Sequence, residues 1–226
     1  MKIGVLLSGN GVFDGSEIQE AVFTLLAIDE KNAEAICMAP DIDQHHVLNH
    51  MNGEEMPEKR NVLIESARIA RGNIKDLSKV SSDDLDALII PGGFGAAKNL
   101  TKWAFQGSDG DINPDVKRII NEMVLNNKPI CGLCMGPTVI AKALEESGIK
   151  PGLTVGTTSQ PSPYEIDAIS SGMEKTGATA HMKSIDEIMV DEKNKIVTAP
   201  CYMMEASIRQ VRDNIKMAIS QTISMV

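Results

Sequence analysis

The sequence predicts an α/β fold, with a mostly parallel central sheet and helices on both faces. Three observations carry that expectation. Short apolar runs alternate with stretches of helical periodicity. The run Ile3-Gly4-Val5-Leu6-Leu7 is continuous, as suits a strand buried on both sides. Two of the strands run out into glycine-rich turns, Ser8 to Gly15 and Pro91 to Gly95.

Taken in order, the first strand, Ile3 to Leu7, leads through that loop to Ser16, read as the N-cap of a helix from Glu17 to Asp29. Ala35 to Met38 is the second strand. The rhythm breaks over residues 40–81, which read as an insertion: Asn52-Gly53 marks a hairpin turn, Val62 to Ala70 a helix, and Ile74 to Leu77 a short extended piece. Ser82-Asp83-Asp84 introduces the strand Ala87 to Ile90. Pro114 to Leu125 is helical, Ile130 to Leu133 a strand, and Thr138 to Glu146 a helix. Glu187 to Val190 and Lys195 to Thr198 flank a turn as a small β-hairpin, and Ala206 to Ile219 is a long amphipathic helix. No repeat or Pro/Ser-rich linker divides the chain, so residues 1–226 read as one domain.

Composition narrows the function classes. A net charge of −9 argues against a nucleic-acid partner, which needs clustered Lys and Arg. No apolar run approaches the roughly 20 residues of a membrane span, so no membrane partner is expected. The start, Met1-Lys2-Ile3-Gly4, reads as a strand and not a signal peptide, with no organelle-targeting segment before it. With four cysteines read as free thiols, the expected location is the cytoplasm.

The chemistry centres on Cys134, in Lys-Pro-Ile-Cys-Gly-Leu-Cys-Met-Gly-Pro, where a strand turns directly into a helix. A cysteine there meets free N–H groups and the positive end of the helix dipole, which favour thiolate, the nucleophilic form. The N–H groups of Gly93 and Met135 would form a two-donor oxyanion hole, and Glu17 supplies a carboxylate from the first-strand loop. Plainer readings exist. Cys134 could be an inert core thiol, Glu17 a dipole-complementing residue, and Gly92-Gly93 a tight strand exit. Cys131 and Cys134 share the Cys-x-x-Cys spacing of redox motifs, but Cys131 reads as facing the core within its strand. His46 and His50 have helical spacing without further ligands, so no metal site is expected. Cys37 and Cys201 read as core.

Several strings resemble the ElbB proteins, a branch of the PfpI-like, class I glutamine-amidotransferase-like superfamily. They are Leu-Ser-Gly-Asn-Gly-Val-Phe-Asp-Gly-Ser-Glu-Ile (7–18), Asn-His-Met-Asn-Gly-Glu (49–54), Arg-Asn-Val-Leu-Ile-Glu-Ser-Ala-Arg-Ile (60–69), Ile-Pro-Gly-Gly-Phe-Gly-Ala-Ala-Lys-Asn-Leu (90–100) and Val-Asp-Glu-Lys-Asn-Lys-Ile-Val-Thr-Ala-Pro-Cys-Tyr-Met (190–203). The resemblance spans nearly the whole chain. It implies a flavodoxin-like three-layer sandwich, a homodimer, a nucleophile at Cys134 and a carboxylate partner at Glu17. The implied activity is a cofactor-free, glutathione-independent glyoxalase that converts glyoxal or methylglyoxal to a 2-hydroxy acid, linked by family name to isoprenoid synthesis. PfpI-type members carry histidine after the nucleophile, whereas this chain has Met135, which weakens an amidase or glutaminase reading. His181 is a possible accessory group from another loop. Oxidation sensing through Cys134 is the non-enzymatic alternative.

Overall fold

The computed structural model describes all 226 residues. Its elements run β1 (Lys2–Leu6), α1 (Ile18–Asp29), β2 (Glu34–Ala39), α2 (Val62–Ile69), β3 (Lys75–Asp76), β4 (Ala87–Ile90), α3 (Trp103–Gln106), α4 (Pro114–Leu125), β5 (Ile130–Leu133), α5 (Gly136–Leu144), β6 (Gly152–Gly156), α6 (Ile166–Lys175), β7 (Thr179–Met182), β8 (Met189–Asp191), β9 (Ile196–Ala199) and α7 (Ile208–Ser224). The central sheet has the order β3-β2-β1-β4-β5-β9-β8. Every pair in it is parallel except β8 with β9, the expected hairpin, which closes one edge.

Strands β1, β4 and β5 lie inside the sheet, so both faces of each need apolar cover. Their side chains alternate between two helical layers. On β5, Cys131 meets Thr222 of α7, while Gly132 abuts Ile140 of α5. α1 packs on α7, and α4 packs on α5. This is the three-layer α/β sandwich of flavodoxin type that the sequence leads one to expect.

Two differences bear on the site. Helix α1 starts at Ile18 with Glu17 as its cap, one residue later than Ser16 would set it. The Ser16 hydroxyl accepts the N–H of Ser8 at 2.9 Å and so fastens the loop instead of the helix. Residues 150–182 also hold three elements not anticipated from the sequence, β6, α6 and β7. β6 and β7 form a separate two-stranded parallel sheet. β7 is partly exposed along its whole length, so it lacks the apolar run by which a buried strand is recognised. The pair is tied to the main sheet where the Thr154 N–H donates to Thr198 Oγ1 at 2.9 Å.

The loop after β1 is also held by the buried side chain of Asn99. Asn99 Nδ2 donates to the carbonyls of Ser8 and Asp14, both at 2.9 Å, and Asn99 Oδ1 accepts the N–H of His45 at 2.9 Å. Asp14 Oδ2 in turn accepts the N–H of Leu48 at 2.7 Å, so the insertion after β2 is laced onto the same loop. Asn99→Ala would leave three backbone groups short of a partner. It is expected to lower unfolding free energy by about 3 kcal/mol in chemical denaturation, with no change in m-value. A loss within the error of zero would show that the loop is held by other means.

Candidate active site

Strand β5 ends at Leu133, and the chain turns into α5 within three residues. Cys134 makes that turn with φ of 54°, in the left-handed region, and its N–H donates to the Ala199 carbonyl at 2.9 Å. A non-glycine residue there carries strain of about 1 kcal/mol or more, held by its surroundings. The turn leaves the side chain only 4% exposed, at the base of a cavity. The backbone N–H groups of Gly93 and Met135 both point at its sulfur. Met135 caps α5, so its N–H belongs to the open end of that helix.

The carboxyl group brought to the sulfur is that of Glu20, one helical turn beyond Glu17. Glu20 is fully buried and hydrogen-bonded to the Cys134 side chain. Its Oε2 accepts the N–H of Gly92 at 3.0 Å, and its Oε1 accepts the N–H of Tyr202 at 3.3 Å. Gly92 is required by space: a Cβ there would lie 2.4 Å from Cys134 Cβ and 2.7 Å from Glu20 Oε2. Glu17 instead folds back on its own helix, accepting the Glu20 N–H at 2.6 Å, and presents its remaining surface to the cavity wall. The placement of a carboxylate against Cys134 is therefore corrected from Glu17 to Glu20. The cause is the one-residue shift of the helix start, since a cap side chain turns back to the first-turn N–H groups.

The electrostatics correct a second expectation. The two N–H groups pull the Cys134 thiol down, but burial and the Glu20 carboxylate outweigh them and push it up. Glu20 is itself pushed up to about 8, by burial first and by the neighbouring Glu17 charge second. Burial also raises Glu17. Cys134 and Glu20 are thus coupled: both are protonated at low pH, Glu20 releases its proton first, and its carboxylate then holds the remaining proton on the sulfur.

Two phenols complete the rim. Tyr202 donates its hydroxyl to Gln19, and Tyr164 is pushed up to about 12 by burial and by the acidic groups nearby. Sequence reading missed Glu20, Tyr164 and Tyr202. Isolated aromatic residues carry no spacing signal, and the Tyr202 N–H that reaches Glu20 lies in a tertiary turn directly after Cys201, which also adopts a positive φ, 49°. His181 lies on β7 in a separate cleft with Gly152, Met189 and Asp191, and does not line the Cys134 cavity. Cys131 is fully buried against Thr222, and burial pushes its thiol up to about 12. His46 and His50 lie outside any helix, and the His50 ring accepts the Phe13 N–H at 3.1 Å. No helix is long and apolar enough to cross a membrane.

Among known proteins, no family model matches the chain. A human protein, glutamine amidotransferase-like class 1 domain-containing protein 3, mitochondrial, is 40% identical over 99% of this chain and 83% of its own length. The zebrafish ES1 protein, mitochondrial, is 31% identical over 90% of this chain and 77% of its own. These mitochondrial relatives overturn the expectation of a cytoplasmic location. Among solved structures, an isoprenoid biosynthesis protein with an amidotransferase-like domain from Ehrlichia chaffeensis superposes with a TM-score of 0.89. It is 32% identical and covers 100% of this chain and 99% of that one. Glyoxalase III from Candida albicans, at 15% identity, shares the fold with a TM-score of 0.59 over 98% of this chain and 97% of its own.

The coupled pair gives a signed pH test. Iodoacetamide alkylation of Cys134, read by mass spectrometry, is expected to accelerate with pH along a limb centred near 8, the value to which Glu20 is raised. Below the limb both groups hold their protons; above it the Glu20 carboxylate is free to take the thiol proton as the sulfur attacks. Glu17→Gln removes the charge that helps raise Glu20 and should move the limb down. Glu20→Gln removes the proton acceptor and should move it up. Movement of the Glu17→Gln limb to higher pH would contradict the coupling.

Proposed function

The chain belongs to the ES1 family of glutamine amidotransferase-like class 1 proteins, and on that premise we propose that it is a cofactor-free glyoxalase acting through Cys134 and Glu20. The observation that supports this reading most is a cavity-lining thiol, Cys134, backed by the buried Glu20 carboxyl and with two N–H donors aimed at its sulfur.

Once Glu20 is ionised, its carboxylate takes the Cys134 proton as the sulfur attacks. The sulfur attacks the aldehyde carbon of an α-oxoaldehyde, and the new oxyanion is held by the N–H groups of Gly93 and Met135. Protonation by Glu20 gives a hemithioacetal and leaves Glu20 as carboxylate. That carboxylate removes the C1 proton and returns it to C2 through an enediol, yielding a 2-hydroxy thioester. Water then releases the 2-hydroxy acid and restores the pair. C1 is oxidised and C2 reduced within one molecule, so electrons balance without an external acceptor. Glu17, one turn away, is a positioning residue whose charge keeps Glu20 basic enough for the shuttle.

A glutaminase reading receives less support. None of the chain's four histidines lines the cavity, so no imidazole is at hand to activate the thiol or protonate leaving ammonia.

Purified protein is expected to convert methylglyoxal to lactate, with kcat/KM rising through a limb near pH 8. Cys134→Ser should abolish turnover. Glu20→Gln should lower kcat by about 10²–10⁴-fold, the usual contribution of a general acid–base group, and Glu17→Gln by less than about tenfold. Native-rate turnover by Cys134→Ser would dispose of the mechanism.

A further inference from the structure

The cavity above Cys134 is larger and drier than a three-carbon aldehyde requires. Its volume of about 330 Å³ falls among cavities that enclose drug-sized ligands, about 300–1,000 Å³. A three-carbon oxoaldehyde would displace only roughly two or three waters of about 30 Å³ each, leaving most of the space to solvent. That solvent would find few partners, because 12 of the 16 lining residues are hydrophobic.

Helices α3 and α6 build the apolar wall. Trp103, 7% exposed, contributes its indole, and Ala168 and Ile169 contribute from α6. Gly172 lets the two helices close on each other: a Cβ there would stand 2.9 Å from Trp103 Cζ2. Phe94 and Tyr164 meet edge to face across the opening, with ring centroids 6.0 Å apart.

Charge narrows the ligand further. No Lys, Arg or His lines the cavity, and Glu17 is its only lining carboxylate. A substrate bearing carboxylate or phosphate would face Glu17 with no counter-charge, and desolvating such an anion without a partner is costly.

We propose that the substrate is an uncharged α-oxoaldehyde bearing a bulky apolar substituent, aromatic or branched, seated against the wall that Trp103 and α6 build together; this rests on the glyoxalase reading. Burial of that substituent supplies the binding energy that a methyl group cannot, at about 25 cal/mol per Å².

Trp103 is the chain's single tryptophan, so its emission reports on the cavity independently of turnover. In Cys134→Ser protein, 2-phenylethanol should change Trp103 emission saturably, and benzoate, similar in size but anionic, should bind at least tenfold more weakly. In native protein, phenylglyoxal should exceed methylglyoxal in kcat/KM at least tenfold. Ala168→Phe, at an exposed helix position, should cut that ratio at least tenfold by filling the cavity. Benzoate binding as well as the alcohol, or a ratio at or below one, would overturn the inference and leave the glyoxalase reading intact. Saturable binding of 2-phenylethanol without turnover of either aldehyde would support the ligand class and overturn the glyoxalase reading alone.

Discussion

The contact between the Glu20 carboxyl and the Cys134 thiol makes demands on four distant segments at once. The start of α1 must place a carboxyl under the sulfur, and Gly92 must have no side chain for the two groups to touch. Cys134 must bend into the left-handed region, and the turn after β9 must offer the Tyr202 N–H. The pair also has a thermodynamic sign. An unfolded chain releases the Glu20 proton near the ordinary 4.5, whereas the folded chain keeps it to about 8. Between those values the unfolded state binds fewer protons, so the cost of burying Glu20 grows as pH rises and levels off above about 8. The Glu20 proton, whose loss makes the site reactive, is thus one that the fold itself retains.

Most of the scaffold was legible because buried parallel strands announce themselves as apolar runs. β4 and β5 fall on the runs Ala87 to Ile90 and Ile130 to Leu133, and α4 on Pro114 to Leu125. The turn at Cys134 was legible for the same reason, since strand and helix patterns abut there. The carboxyl partner was not. Ser16 and Glu17 are both adjacent to a helix start, and the choice of cap between them depends on a tertiary bond, from the Ser8 N–H to the Ser16 hydroxyl. Shifting the cap by one residue exchanges which glutamate points inward. The ionisation of the thiol was equally hidden, because a helix terminus is a local feature while burial is a property of the whole fold.

The two walls of the cavity have different origins in the architecture. Cys134, Gly93 and Glu20 stand on the main sheet and the helix that follows β1, where any movement would disturb the core. The α6 wall sits between β6 and β7, a two-stranded sheet of its own. β7 is partly exposed throughout, and Ala168 is exposed on α6. Exchanges there change the shape of the opening without passing through the residues that hold the sulfur. Such a division lets the α6 wall be reshaped, and with it the choice of molecules that enter, while the reacting groups stay fixed.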